Sequence, residues 1–301
     1  MTDLTGAVDA LLRRQLADWP LLGRGVAGLA SALTRPVAAG GAEVLLRHVP
    51  HRAASTTAKV DPESVGRRPC FLCPANLDPE EEGLPFGADF TVYCNPFPVV
   101  EKHLTVVHRE HRPQRVEGLA GTLLDLALCL PGSFVLYNGP ECGASAPDHL
   151  HLQAGSREPL PLLADAARSR GPALERHGVR ALLLRGEDRA RLAAGVERAV
   201  SILSDVTGRR PEPLVNLVAF HEEGAGSTVL VFPRAKHRPD AFHRGELTVS
   251  PAAIDLCGLL VVPVARDFER LTGEEVAAVL GEVTLGEEEF REVVARLEEP
   301  R

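Results

Sequence analysis

The stretch GASAPDHLHLQAG, Gly143–Gly155, decides how this chain is read. It sets two histidines and a glutamine, His149, His151 and Gln153, on every second residue. In a β-strand those side chains share one face, while Leu150 and Leu152 face the core. A half-buried strand ordinarily alternates apolar residues with Ser, Thr or Lys, so two imidazoles and an amide on one face ask for a use. A neutral imidazole beside a phosphate can act as a nucleophile, forming a phosphoramidate and dividing one displacement into two. The preceding NGPECGASAP (138–147) is a glycine-bearing loop that can bring backbone N–H groups close to phosphate oxygens. Gln153 would then hold the phosphate or the second nitrogen of the nucleophile. The plainer reading is a partly exposed strand whose polar groups are merely satisfied.

Working outward, DFTVYCNPFPVVEKHLTVVHREHRPQ (89–114) predicts strands over 90–94 and 103–108, joined by a proline-rich turn. VEGLAGTLLDLALCLP (116–131) predicts a helix ended by Pro131, and GSFVLYNG (132–139) a further strand. After a helical stretch near 188–205, PLVNLVAFHEEGAGSTVLVFPRAKHRPD (213–240) holds two more strand runs around a turn. Lys236-His-Arg-Pro-Asp240 echoes Glu110-His-Arg-Pro-Gln114, each after a hairpin, which argues for an internal duplication. Ser250-Pro251 reads as the start of a short helix, and Thr272-Gly-Glu-Glu275 as a capping box. Upstream, Val8, Leu11, Leu12 and Leu16 fall at helical spacing. Pro36, Gly40 and Gly41 break that pattern, and residues 43–69 read as extended or looped. The expectation is an α+β chain with antiparallel sheet from two pseudo-repeated halves. Its divisions would be a helical lead-in (1–44), a catalytic half (45–160) and a second half with C-terminal helices (161–301).

Composition narrows the partners. Across 301 residues the net charge is -8, and no concentrated basic face offsets it, which argues against bulk nucleic-acid binding. The most apolar run, LCGLLVVPVA (256–265), is too short to span a membrane, and the opening residues lack the basic-then-apolar order of a secretory signal. Six cysteines in a chain this long do not make a secreted disulfide framework, so the expected compartment is the cytoplasm.

Cys70-Phe-Leu-Cys73 has the spacing that lets two thiolates bind one tetrahedral zinc; a redox pair or two buried thiols are the other readings. Zinc would need two more ligands, and His103, His108, His111 and His149 are candidates that spacing alone does not separate.

Together these pieces resemble the histidine-triad superfamily, in the branch containing galactose-1-phosphate uridylyltransferase, diadenosine tetraphosphate phosphorylase and the GDP-hexose phosphorylases. The resemblance is carried by PHRA (50–53), CFLC (70–73), NPFPVVEKHLTVV (95–107), HREHRPQ (108–114) and YNGPECGASAPDHLHLQ (137–153). FPRAKHRPD (232–240) and SPAAIDLCGLLV (250–261) add weaker support, so it covers about residues 45 to 270. It implies a HIT-like fold with His151 as the nucleophile and Gln153 contacting the reacting phosphate. It also implies phosphate-loop contacts at Asn138, Gly143 and Ser145, and a phosphate-contacting Arg52. In the zinc-containing uridylyltransferases the corresponding metal ligands would be Cys70, Cys73, His111 and His149, with His108 the rival for the third place. Uridylyltransferases carry His-Pro-His, whereas Leu150 stands between the histidines here, which is closer to the phosphorylases; those, however, generally lack the Cys-x-x-Cys pair.

The expected chemistry is transfer of a nucleotidyl group from a nucleotide sugar or dinucleoside polyphosphate, through nucleotidyl-His151, to phosphate or to a sugar phosphate. Alternatives are a hexose-1-phosphate nucleotidyltransferase and a non-catalytic, zinc-stabilised nucleotide-binding protein. Lys59, Asn95, His103, Lys236, His237 and Arg238 are further candidates for holding substrate or acceptor. The duplication favours a monomeric pseudo-dimer over a homodimer.

Overall fold

The apolar runs resolve into twelve strands in the computed structural model, which describes residues 3–299. These are β1 (Leu33–Ala39), β2 (Ala42–His48), β3 (Gly83–Phe86), β4 (Phe90–Cys94), β5 (Leu104–His108) and β6 (Ser133–Asn138). There follow β7 (His151–Ser156), β8 (Ala173–Arg176), β9 (Val179–Gly186), β10 (Val215–Glu222), β11 (Gly226–Pro233) and β12 (Leu259–Val262). Nine of them form one antiparallel sheet in the order β3-β4-β5-β7-β6-β10-β11-β9-β8. A smaller sheet, β1-β2-β12, joins the hairpin β1–β2 in parallel to β12.

The large sheet contains the same path twice. Strands β4 and β5, the helix Ala120–Cys129, then β6 and β7 are followed by β8 and β9, the helix Arg189–Thr207, then β10 and β11. The two copies meet where β6 pairs with β10, from Phe134 opposite Phe220 to Asn138 opposite Asn216. The duplication is therefore real, but the echo that suggested it is not. His111-Arg-Pro follows β5, whereas His237-Arg-Pro follows β11, whose counterpart in the first copy is β7. The boundary expected at 44/45 falls inside β2.

Strand alternation assigns the two faces of the sheet. Leu152, Ala154, Val135, Tyr137, Leu217 and Val231 lie under the helices Ala120–Cys129, Arg189–Thr207 and Glu287–Glu298. Leu136, Phe134, Val218, Phe220, Leu230 and Phe232 pack toward β2, β12 and the helix Gly273–Val283. Each such side chain contributes about 1.5–3 kcal/mol on full burial. Gln153 lies opposite Leu136 in the register, so the triad face is the one turned toward the small sheet.

Local signals mostly translate. The Thr272 hydroxyl accepts the Glu275 N–H, and the Glu275 carboxylate accepts that of Thr272, starting the helix Gly273–Val283. Ser250-Pro251 does not start a helix. The helical turn begins at Ala253, and the Asp255 carboxylate accepts the Ala252 N–H. The first helix, Thr5–Asp18, buries Val8 and Leu11 but also Gln15, while Leu16 is exposed. Gln15 is bound by backbone: its amide donates to Glu80 O and accepts from Glu82 N–H. Among the described residues no helix is long and apolar enough to cross a membrane.

Candidate active site

The strand β7 begins at His151, so His149 lies just before it rather than within it. That break lets the two histidines serve different partners. The His151 ring places Nδ1 2.8 Å from the His149 carbonyl oxygen, which requires the proton on Nδ1 and leaves the Nε2 lone pair unprotonated. Burial, with the neighbouring His149 adding to it, holds the imidazolium form down to about 4, against smaller opposing effects of the His149 carbonyl and Asp148. The ring is thus neutral at pH 7, the state a nucleophile needs.

Backbone position is fixed by Gln114. Its amide oxygen accepts the His151 N–H at 2.8 Å, and its nitrogen donates to the carbonyls of His151 and Asn138. Gln114 thereby spans the end of β6 and the start of β7. Nothing in a lone glutamine after His-Arg-Pro marks Gln114 for this role in the sequence.

Gln153 lies two residues along the same face. His103 Nδ1 accepts the Val99 N–H, so its Nε2–H donates to Gln153 Oε1 at 2.9 Å. With its oxygen occupied, Gln153 offers its NH2 to a ligand. His103 is therefore committed to Gln153, not available as the phosphate contact expected of it. Burial and the nearby Arg52 guanidinium hold its imidazolium down to about 4. Arg52 is anchored by one bond, Nη1 to Phe97 O at 3.2 Å, and feels the buried Asp255 carboxylate. Asp255, pushed up to about 6 by burial, accepts the N–H groups of Ala252 and Val261.

In the loop before β7, Gly143 has φ +101°, and a Cβ there would meet Ala252 Cβ at 2.6 Å, so only glycine suits the position. Among the described residues the N–H groups of Gly143 and Ser145 have no acceptor within the chain. Asn138 points elsewhere: its Oδ1 accepts from Asn216 and from the Ala253 N–H, making it a tie between the halves. Asn216 also donates to Cys142 O and accepts from the fully buried Arg234, whose remaining donors bind the carbonyls of Val283, Lys236, His237 and Pro251. The polar Asn216 inside PLVNLVAF was the available signal for this network.

Other expected contacts are used structurally. The Asn95 carboxamide closes its own turn through the Phe97 N–H and reaches Thr105. Lys236 is paired with Asp240 and Glu282. Arg238 donates to Ser250 and to the carbonyls of Thr56 and Ala58, and His237 meets the same Ser250 hydroxyl. Lys59 is exposed.

The cysteine and histidine donors converge. One ligand atom each from Cys70, Cys73, His111 and His149 lie within 4.8 Å of one another. Cys70 Sγ is 3.3 Å and Cys73 Sγ 3.6 Å from His149 Nδ1, and Cys73 Sγ is 3.2 Å from His111 Nδ1. A tetrahedral metal with bonds of about 2.0–2.3 Å needs neighbouring donors roughly 3.5 Å apart, so the set fits. His149 Nε2 donates to the His108 carbonyl at 2.7 Å, which turns an unprotonated Nδ1 toward the sulfurs. His108 thus enters through its backbone, not as a ligand. The cluster could hold a metal ion, and it would fix the chain two residues from His151.

Comparison with known proteins places the overall fold. Residues 172–299 match the family model of the GDPGP1-like C-terminal domain, and residues 11–156 a domain family of unknown function (DUF4922). No curated protein matches the sequence. The crystal structure of yeast Ap4A phosphorylase Apa2 superposes with a TM-score of 0.59, at 20% identity over 89% of this chain and 94% of that one. Its complex with AMP gives 0.61 at 19% identity over 91% and 96%, and that with Ap4A 0.58 at 18% over 88% and 96%. The chain therefore shares the fold of that solved structure.

Proposed function

We propose that the chain is a nucleotidyl-transferring phosphorylase acting on a nucleotide sugar or a dinucleoside polyphosphate. His151 Nε2 attacks the α-phosphorus, the P–N bond forms, and the P–O bond to the leaving sugar phosphate or nucleotide breaks. An oxygen of inorganic phosphate then displaces His151, the P–N bond breaks, and a nucleoside diphosphate is released. The observation that carries this reading is the His151 ring itself: neutral, pinned through Nδ1, with Nε2 left unprotonated beside an amide whose NH2 is presented by His103.

Gln153, Arg52 and the N–H groups of Gly143 and Ser145 receive the charge that builds on the non-bridging oxygens. The likeness to Ap4A phosphorylase supports a nucleotide substrate. Zinc held by Cys70, Cys73, His111 and His149 would be structural, since four protein ligands close its shell. That donor set equally favours a second reading, a hexose-1-phosphate nucleotidyltransferase, because it matches the ligands the resemblance assigned to zinc-containing uridylyltransferases.

Phosphorus NMR distinguishes the two. With ADP-, GDP- or UDP-glucose or Ap4A, addition of inorganic phosphate should yield a nucleoside diphosphate, or ADP plus ATP from Ap4A. Turnover that requires a hexose 1-phosphate and ignores phosphate would establish the second reading. Binding without turnover under either acceptor would leave a nucleotide-binding protein.

A further inference from the structure

The second helix, Pro20–Ala30, has no part in the reaction proposed above, yet it is seated against the turn that presents His103. Gly25 lies so close to that turn that a Cβ there would meet Pro96 O at 2.0 Å and Pro98 Cδ at 2.9 Å. One helical turn on, a Cβ at Gly28 would meet His51 Nδ1 at 2.9 Å. By contrast, a Cβ on Gly23 of the same helix meets nothing within 4 Å. The helix therefore presents a glycine shelf where the backbone of 96–98 and the His51 ring rest on it.

The same turn is also held by three side chains of β2 and the segment after it. Arg47 donates to Val99 O at 2.9 Å, His51 to Pro98 O at 3.2 Å and Arg52 to Phe97 O at 3.2 Å. Three successive carbonyls are thus each taken by a different donor. The next link is the Val99 N–H, which binds His103 Nδ1, and His103 Nε2–H then sets the Gln153 amide. The return of the turn is closed by the Asn95 N–H on His103 O.

We propose that the glycine shelf and this carbonyl clamp form a positioning element for Gln153, acting through His103. The helix holds the turn at the depth that lets Val99 meet His103 Nδ1, and so fixes which edge of the Gln153 amide faces the phosphate. This rests on the reading of Gln153 as a phosphate contact. Gly25, Arg47 and His51 are positioning residues, not catalytic ones.

The test compares Gly25→Ala with Gly23→Ala in the full-length protein, alongside Arg47→Met and Arg47→Lys in case the Gly25 variant fails to fold. Two readouts are taken: the rate of nucleotidyl transfer at saturating donor with the KM of that donor, and the imidazole Nε2–H proton resonance of His103. Gly25→Ala and Arg47→Met should slow transfer by roughly tenfold or more with little change in KM, because displacing a reacting group by about 1 Å is costly. Arg47→Lys should recover part of the rate, and Gly23→Ala should match wild type. The His103 resonance should shift or broaden in the two impaired variants only. Transfer at the wild-type rate in folded Gly25→Ala or Arg47→Met would overturn the proposal. If wild type itself transfers nothing, the catalytic reading fails separately, and the His103 resonance still decides: unchanged in both variants, it removes the helix from any role in setting Gln153.

Discussion

His151 keeps its proton on Nδ1 because the His149 carbonyl is there to take it, and it stays neutral because it is buried. A protonated imidazole cannot attack, so activity is lost as pH falls through the folded value of about 4, not the ordinary 6.5. His103, also held near 4, titrates in the same range. Neutral His151 should therefore cause no fall between pH 8 and about 5.5, where Asp255, near 6, is the site group that titrates; a fall centred near 6.5 that persists in Asp255→Asn would contradict the burial argument. Gln153→Ala removes a donor to the developing charge and should slow transfer by about 10²-fold with the protein still folded. At this scale the ring nitrogens' assignments were not legible, since they depend on the carbonyls of His149 and His108 and on the Val99 N–H, which no motif encodes. The ligand set Cys70, Cys73, His111 and His149 was legible only through the resemblance, since spacing left four histidines open.

At the scale of elements, the two halves are joined where β6 meets β10, and the end of that joint at Asn138 and Asn216 is polar. Arg234 is 2% exposed and spends its donors on Asn216 and four carbonyls. Arg234→Met would leave these acceptors buried and unpaired, at a cost of about 3 kcal/mol. Urea unfolding should show a lower midpoint with an unchanged slope, and a loss under ~1 kcal/mol would mean the network relaxes onto water. The strands 90–94 and 103–108 were legible because alternation and the proline turn point the same way. The duplication was inferred from His-Arg-Pro, a surface match at non-equivalent places. Its true basis, a repeated strand-strand-helix-strand-strand path, lies in topology and has no short sequence signature. Helix faces misled at Leu16 and Gln15, where backbone groups of the 80–82 segment made a buried amide the better fit.

At the scale of the molecule, the nine-stranded sheet carries the site at its centre, and the Cys70–Cys73 segment closes over the entry to β7. A structural metal there makes part of the folding free energy conditional on the metal. Elemental analysis should find one zinc per chain, and Cys73→Ser or a strong chelator should lower Tm while removing it. Unchanged Tm after complete metal loss would reduce the cluster to a chance gathering of donors.

Covalent transfer through His151 leaves a nucleotidyl group on the protein, which intact-protein mass at neutral pH detects. Wild type and His151→Ala would be mixed, without phosphate, with ADP-, GDP- and UDP-glucose and with Ap4A. A nucleotidyl adduct is expected on wild type alone, with the mass naming the base, cleared when phosphate is added. An adduct that persists in His151→Ala, or none on wild type with a donor that is demonstrably turned over, would contradict it.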